Sequence, residues 1–211
     1  MKTEELIDAL AEGEENGRRP RGWRALLIAV CAGLVLAVLL LVTGLGMRPD
    51  IGTAMMPVMW KAGFSAALAA AALPVLLRLA APGRPLGWRL LAYLGFAAIA
   101  LTAGAIALMG EAPGERMQAW TGGGFPWCLV IVPLLAAPTA ALLIWLVRGL
   151  APTSLTATGA AIGAVAGGIG ALAYSMYCPI DSVAFVTTWY SVAIGLCAAL
   201  GALVGGRLLR W

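Results

Sequence analysis

The chain has 211 residues, 62% of them apolar and only 11% charged, with a mean hydropathy of +0.93. Soluble domains carry about a quarter charged residues, so this is the composition of a membrane protein. The chain has no histidine, which removes imidazole ligands for haem, zinc or copper and the usual general base at neutral pH. A net charge of +4 is too small to read as a nucleic-acid footprint.

In chain order, residues 1–17 (MKTEELIDALAEGEENG) form the longest polar stretch, with one Lys and six acids for a net of −5. Leu6, Ile7, Leu10 and Ala11 fall on one stripe of a short helix, with Glu4, Glu5 and Asp8 off it and Thr3 placed as N-cap. A helix below about 12–15 residues is unstable alone in water. The stretch is therefore either a solvated tail or a segment that folds in a partner's groove, and its acidity suits a basic soluble partner. RRPRGWR follows at 18–24. It reads as topology, with arginines at anionic headgroups and Trp23 at the interface.

Six apolar runs come next, at about 25–45, 58–77, 90–109, 127–147, 155–176 and 184–204. Each is near the ~20 residues that a bilayer-spanning helix needs. Turn chemistry separates them: Arg48-Pro49-Asp50, the Pro82–Pro85 step, Gly122-Gly123-Gly124, Ala151-Pro152-Thr153 and Cys178-Pro179. The expected fold is all-α, a polytopic membrane protein of six transmembrane helices. Residues 1–24 form a cytoplasmic tail and 25–211 the transmembrane domain. With both termini in the cytoplasm, eleven basic residues lie inside and three (Arg48, Lys61, Arg116) outside, the bias expected for that orientation. An acidic start and a long first span argue against a cleaved signal peptide, so span one should stay as an anchor.

The spans offer little chemistry. Lys61 and Arg78 read as span-end residues whose stems snorkel, and no aqueous path for a charged solute is expected. Gly159, Gly163 and Gly167, at four-residue spacing in span five, suit close helix packing, either within the chain against span six or in a homodimer. Cys31 and Cys197 lie inside spans, as small hydrophobes. Cys128 opens span four and Cys178 follows span five, both on the outer side, where bacterial disulfides form. The pair could join as a disulfide or jointly hold a soft metal ion. Asp181 reads as the N-cap of span six, beside Ser182, or as a third, oxygen ligand. No cofactor is expected.

MKTEELIDALA, the RRPRGWR step, CLVIVPLLAAPTAALLIWLVRGLAPTS, YCPIDSVAFVTTWYSVAIG and the terminal LLRW together resemble the NrsF family of bacterial inner-membrane anti-sigma factors. The resemblance implies no enzyme activity and no direct nucleic-acid contact. It implies an extracytoplasmic-function (ECF) sigma factor as partner, held through Glu4, Glu5, Leu6, Ile7, Asp8 and Leu10. Release would follow oxidative or heavy-metal stress outside, sensed by cysteines that match Cys128 and Cys178. One departure is Tyr177-Cys178-Pro179-Ile180-Asp181, where the family pattern often has His-Cys-Pro-Glu-Asp. Two metal ligands are thereby lost, which favours thiol oxidation over metal sensing. The alternatives are a membrane thiol/quinone redox protein and a small-solute transporter, and neither gives the acidic tail a task.

Overall fold

A computed structural model of the chain describes residues 21–81, 86–124, 126–150, 152 and 154–210. The amphipathic helix expected within 1–17 lies outside the described residues. Among those described, the secondary structure is helical, and six helices are long and apolar enough to cross a membrane. They are Arg21–Gly44, Met55–Leu79, Trp88–Gly110, Cys128–Arg148, Leu155–Tyr174, and a last span over Val183–Leu208. We number them spans one to six. Each boundary falls within about four residues of the apolar run read from the sequence.

Span two starts at Met55, so Pro57 lies in its first turn, where a missing N–H leaves no intrahelical bond unmade. Pro74 sits inside the same helix without ending it. Span four carries Pro133 and Pro138. A short helix not anticipated from the sequence, Arg116–Thr121, lies between spans three and four and stops at Gly122, whose φ of +68° is left-handed.

Span five is the most buried helix and span three the most exposed. The cause is side-chain size. Span five has Gly or Ala on every face, so three neighbours approach its backbone. A Cβ at Gly159 would overlap the Gly201 carbonyl, and one at Gly163 would overlap that of Cys197, both in span six. Gly167 faces the Cys197 side chain, Gly168 lies against Ala69 of span two, and Gly170 lies against Val132 and Ala136 of span four. Glycines 159, 163 and 167 thus meet span six of the same chain. Gly195 lies off this contact, with nothing within 4 Å of a Cβ built there.

Successive spans alternate in direction and leave two apolar clusters, one toward each end of the bundle. One gathers Leu26, Leu76, Val147 and Leu209, near the start of span one. The other gathers Leu41, Cys128, Tyr174, Cys178, Phe185 and Tyr190 at the opposite end.

Candidate functional site: the Cys-Pro turn and its two cations

The Cys178 turn sits at the end of the bundle away from the start of span one. Span five closes there with Tyr177 and Cys178 N–H groups donating to the Tyr174 carbonyl, each at 3.0 Å. Pro179 then forces the chain out of helix. Span six restarts at Val183, and the Ser182 hydroxyl accepts from the Phe185 N–H at 3.5 Å. Ser182 therefore occupies the capping position considered for Asp181. A π-helical turn over Val186–Tyr190 follows, the kind of local expansion that often marks a functional site. Within it, Tyr190 turns inward and Trp189 donates from Nε1 to the Trp120 carbonyl at 2.7 Å. That bond ties the short helix Arg116–Thr121 to span six, and Ile180 packs against Gly122.

Asp181 turns to two cations. Lys61 donates from Nζ to Asp181 Oδ1 at 2.7 Å, to the Cys178 carbonyl at 2.8 Å and to the Ile180 carbonyl at 3.3 Å. Its side chain is 0% exposed, which overturns the expectation of a snorkelling span-end lysine. The ammonium has three donors, and one four-residue turn supplies three acceptors. Arg48 is also buried, at 6% exposure. It donates from Nη1 to Asp181 Oδ1 (2.9 Å) and to the Cys178 carbonyl (3.2 Å), and from Nη2 to Asp181 Oδ2 (3.3 Å). Asp50 accepts from Arg48 Nε and Nη2, both at 2.8 Å. The Arg48 N–H donates to the Met176 carbonyl at 3.1 Å. Two cations and two carboxylates thus fasten the loop after span one and the start of span two to the Cys178 turn. A buried charge is tolerable when paired and hydrogen-bonded in this way.

The titrations follow from the geometry. Hydrogen bonds from Arg48 hold the Asp50 carboxyl below its ordinary range. Burial would raise that of Asp181, but the bonds from Arg48 and Lys61 outweigh it and leave it lowered. Hydrogen bonds to Asp50 and then Asp181 raise the Arg48 guanidinium further above its already high value. Carboxylates with depressed folded pKa values contribute stability that is complete above the ordinary carboxylate range and lost as pH falls through the folded values. The melting temperature in detergent is therefore expected to hold from pH 7 to about 5 and to fall at lower pH. The fall should shrink in Asp181→Asn, and an equal fall in that variant would contradict the assignment.

Cys128 and Cys178 are both free thiols with no exposed surface, and they share one apolar cluster with Tyr174 and Tyr190. Cys128 Sγ donates to the Pro126 carbonyl (3.7 Å) and Cys178 Sγ to that of Ile180 (3.8 Å). The Tyr174 and Tyr190 rings stand 5.8 Å apart beside the thiols. Cys31 faces outward from span one, and Cys197 is buried at the contact of spans five and six. Among the described residues no three Cys, Asp or Glu side chains stand together as a metal site. Two thiols alone fall short of the closed four-ligand set of a structural zinc site.

A family model described as "Negative regulator of sigma F" matches residues 10–211. The chain belongs to the NrsF family. It is 34% identical over 214 residues to the "Probable anti-sigma-F factor NrsF" of Azospira oryzae and 34% identical over 220 residues to the "Anti-sigma-F factor NrsF" of Caulobacter vibrioides, covering all of each chain in both cases. No solved structure matches. The NrsF family is one of regulators, not enzymes, which sets aside the thiol/quinone enzyme. The glycines and cysteines were legible in the sequence, but Arg48 and Lys61 were missed. The helix begins at Met55, three residues before the apolar run read from the sequence, and this extension places Lys61 six residues into span two.

Proposed function

We propose that this NrsF-family chain is a membrane anti-sigma factor that sequesters an ECF sigma factor through its N-terminal segment. Residues 1–24 are the cytoplasmic binding tail and 25–211 the six-span inner-membrane domain, with both termini in the cytoplasm. Leu6, Ile7 and Leu10 supply apolar anchors, and Glu4, Glu5 and Asp8 face basic groups of the partner. Release follows oxidation at the outer end. The observation that carries the reading is the pairing of a full-length family match with two buried thiols that share one apolar cluster at the end of the bundle opposite the start of span one. The buried charges do not favour a transporter, because each is bonded within one turn and the loop beside it.

The redox step balances with a peroxide-class oxidant. The Cys178 thiol attacks the peroxide O–O bond, giving a sulfenic acid and releasing water from hydrogen peroxide. The Cys128 thiol then displaces the sulfenic oxygen as a second water, and an S–S bond forms. Two electrons pass from the thiols to the peroxide. Complete burial of both thiols admits only a small oxidant.

Replacing Leu6, Ile7 and Leu10 together with Ser should lower co-purification of the sigma factor with full-length protein at least tenfold, about 1.4 kcal/mol. Retention equal to wild type would reject the tail as the binding element. In Cys178→Ser, binding should persist and the response to peroxide should disappear. A wild-type response in that variant would move the sensor elsewhere.

A further inference from the structure

We infer that Lys61 and Arg48 are positioning residues that carry the state of the Cys178 thiol to spans one and two, and so toward the N-terminal segment. The inference rests on the release reading and supplies the link it lacks. Lys61 is a group that a span interior tolerates only when fully bonded, and every acceptor it has comes from Cys178, Ile180 or Asp181. Two of those acceptors are backbone carbonyls, and that of Cys178 receives both cations. The turn's conformation therefore decides whether two buried positive charges are satisfied.

A Cys128–Cys178 bond changes that conformation. Cys178 already spans two constraints: its side chain lies in the apolar cluster with Cys128, and its carbonyl lies on Lys61 and Arg48. Disulfide formation requires the two Cβ atoms to approach to about 4 Å with a fixed S–S torsion. Drawing the Cys178 backbone toward span four turns its carbonyl off the cations. Pro179 makes this a backbone event, because its ring fixes φ and the next residue cannot absorb the motion freely. The Arg48 N–H to Met176 carbonyl bond runs in the same joint. Four residues earlier, span one ends at Gly44. Its other end begins at Arg21, within the last residues of the 1–24 tail. A change in the Arg48 anchorage thus acts on the helix to which the tail is attached, and the Lys61 anchorage acts on the helix beside it in sequence.

The experiment uses full-length protein in nanodiscs, treated with hydrogen peroxide or a reductant, with two readouts. Alkylation mass shifts report the Cys128–Cys178 bond, and equilibrium binding reports affinity for the sigma factor. The wild type should lose at least tenfold in affinity on oxidation. Lys61→Met should still form the disulfide and still bind when reduced, but its oxidised-to-reduced affinity ratio should fall to within about twofold of one. Lys61→Arg, which keeps a bonded cation, should restore a substantial part of the response. A Lys61→Met response equal to wild type overturns the inference alone. A wild type whose affinity ignores the disulfide overturns the release reading and the inference with it. Hydrogen exchange in the wild type guards against a variant that fails to fold. Amides 48–54 should lose protection on oxidation, and unchanged protection there overturns the inference without any substitution.

Discussion

Replacing Asp181 with Ala is expected to cost about 3 kcal/mol of stability, the lower end of what breaking a buried ion pair costs. The loss comes less from the carboxylate than from what it leaves behind. Lys61, with no exposed surface, would keep only the Cys178 and Ile180 carbonyls, and Arg48 would keep Asp50 and the Cys178 carbonyl. The estimate stays at the low end because the Asp181 side chain is 36% exposed, so water already screens part of the interaction. Asp181→Asn keeps an oxygen within reach of both cations and should cost roughly half as much. Unfolding in mixed dodecyl maltoside and sodium dodecyl sulfate, followed by tryptophan fluorescence, reads the difference. If Asp181→Ala matched wild type, the ion network would be an incidental feature of the turn.

The glycine seam gives the second large effect. Gly163→Ala places a methyl group into the Cys197 carbonyl, with the Ala198 Cα also 2.8 Å from the new Cβ. Both obstacles are backbone, so spans five and six must separate rather than adjust a side chain. A cost of about 3 kcal/mol, the top of the usual overpacking range, is expected. The seam is reciprocal: a Cβ at Gly201 would overlap the Gly159 carbonyl, and one at Gly205 would meet the Leu155 carbonyl at 2.7 Å. Gly195→Ala supplies the contrast. It has open space, and a helical Gly→Ala change without a clash should gain up to about 1 kcal/mol. Equal effects at Gly163 and Gly195 would show that helix propensity, not close approach, governs these sites.

The sequence makes the spans legible because lipid permits only a few backbone solutions. A run of about twenty apolar residues is long enough to cross a bilayer as a helix, the form in which a single segment satisfies its own backbone without water. The small-residue seam is legible for a related reason, since Gly159, Gly163 and Gly167 repeat with the helical period. Gly168 and Gly170 show where that reading ends. They serve spans two and four, and no local pattern tells one neighbour from another. The ion network was hidden by distance along the chain. Arg48 and Lys61 reach a turn 117 to 133 residues away, and each alone reads as an ordinary outer basic residue. Asp181 reads in the sequence as a cap or an oxygen ligand, and Asp and Ser are equally good caps. Only the packing shows that Ser182 takes the cap and frees Asp181 for the cations. The π-helical turn at Val186–Tyr190 had no sequence signal that distinguishes it from ordinary helix.

The account requires the N-terminal segment and the Cys178 turn to lie on opposite sides of a membrane. Native thiols cannot report this, because Cys128 and Cys178 are buried. Glu115, which is exposed beside the short helix Arg116–Thr121 at the same end as the turn, can carry the probe. In intact spheroplasts, a membrane-impermeant maleimide should label full-length Glu115→Cys at once and label Thr3→Cys only after lysis. Labelling of Thr3→Cys in intact spheroplasts, with Glu115→Cys protected until lysis, would contradict the account at its root.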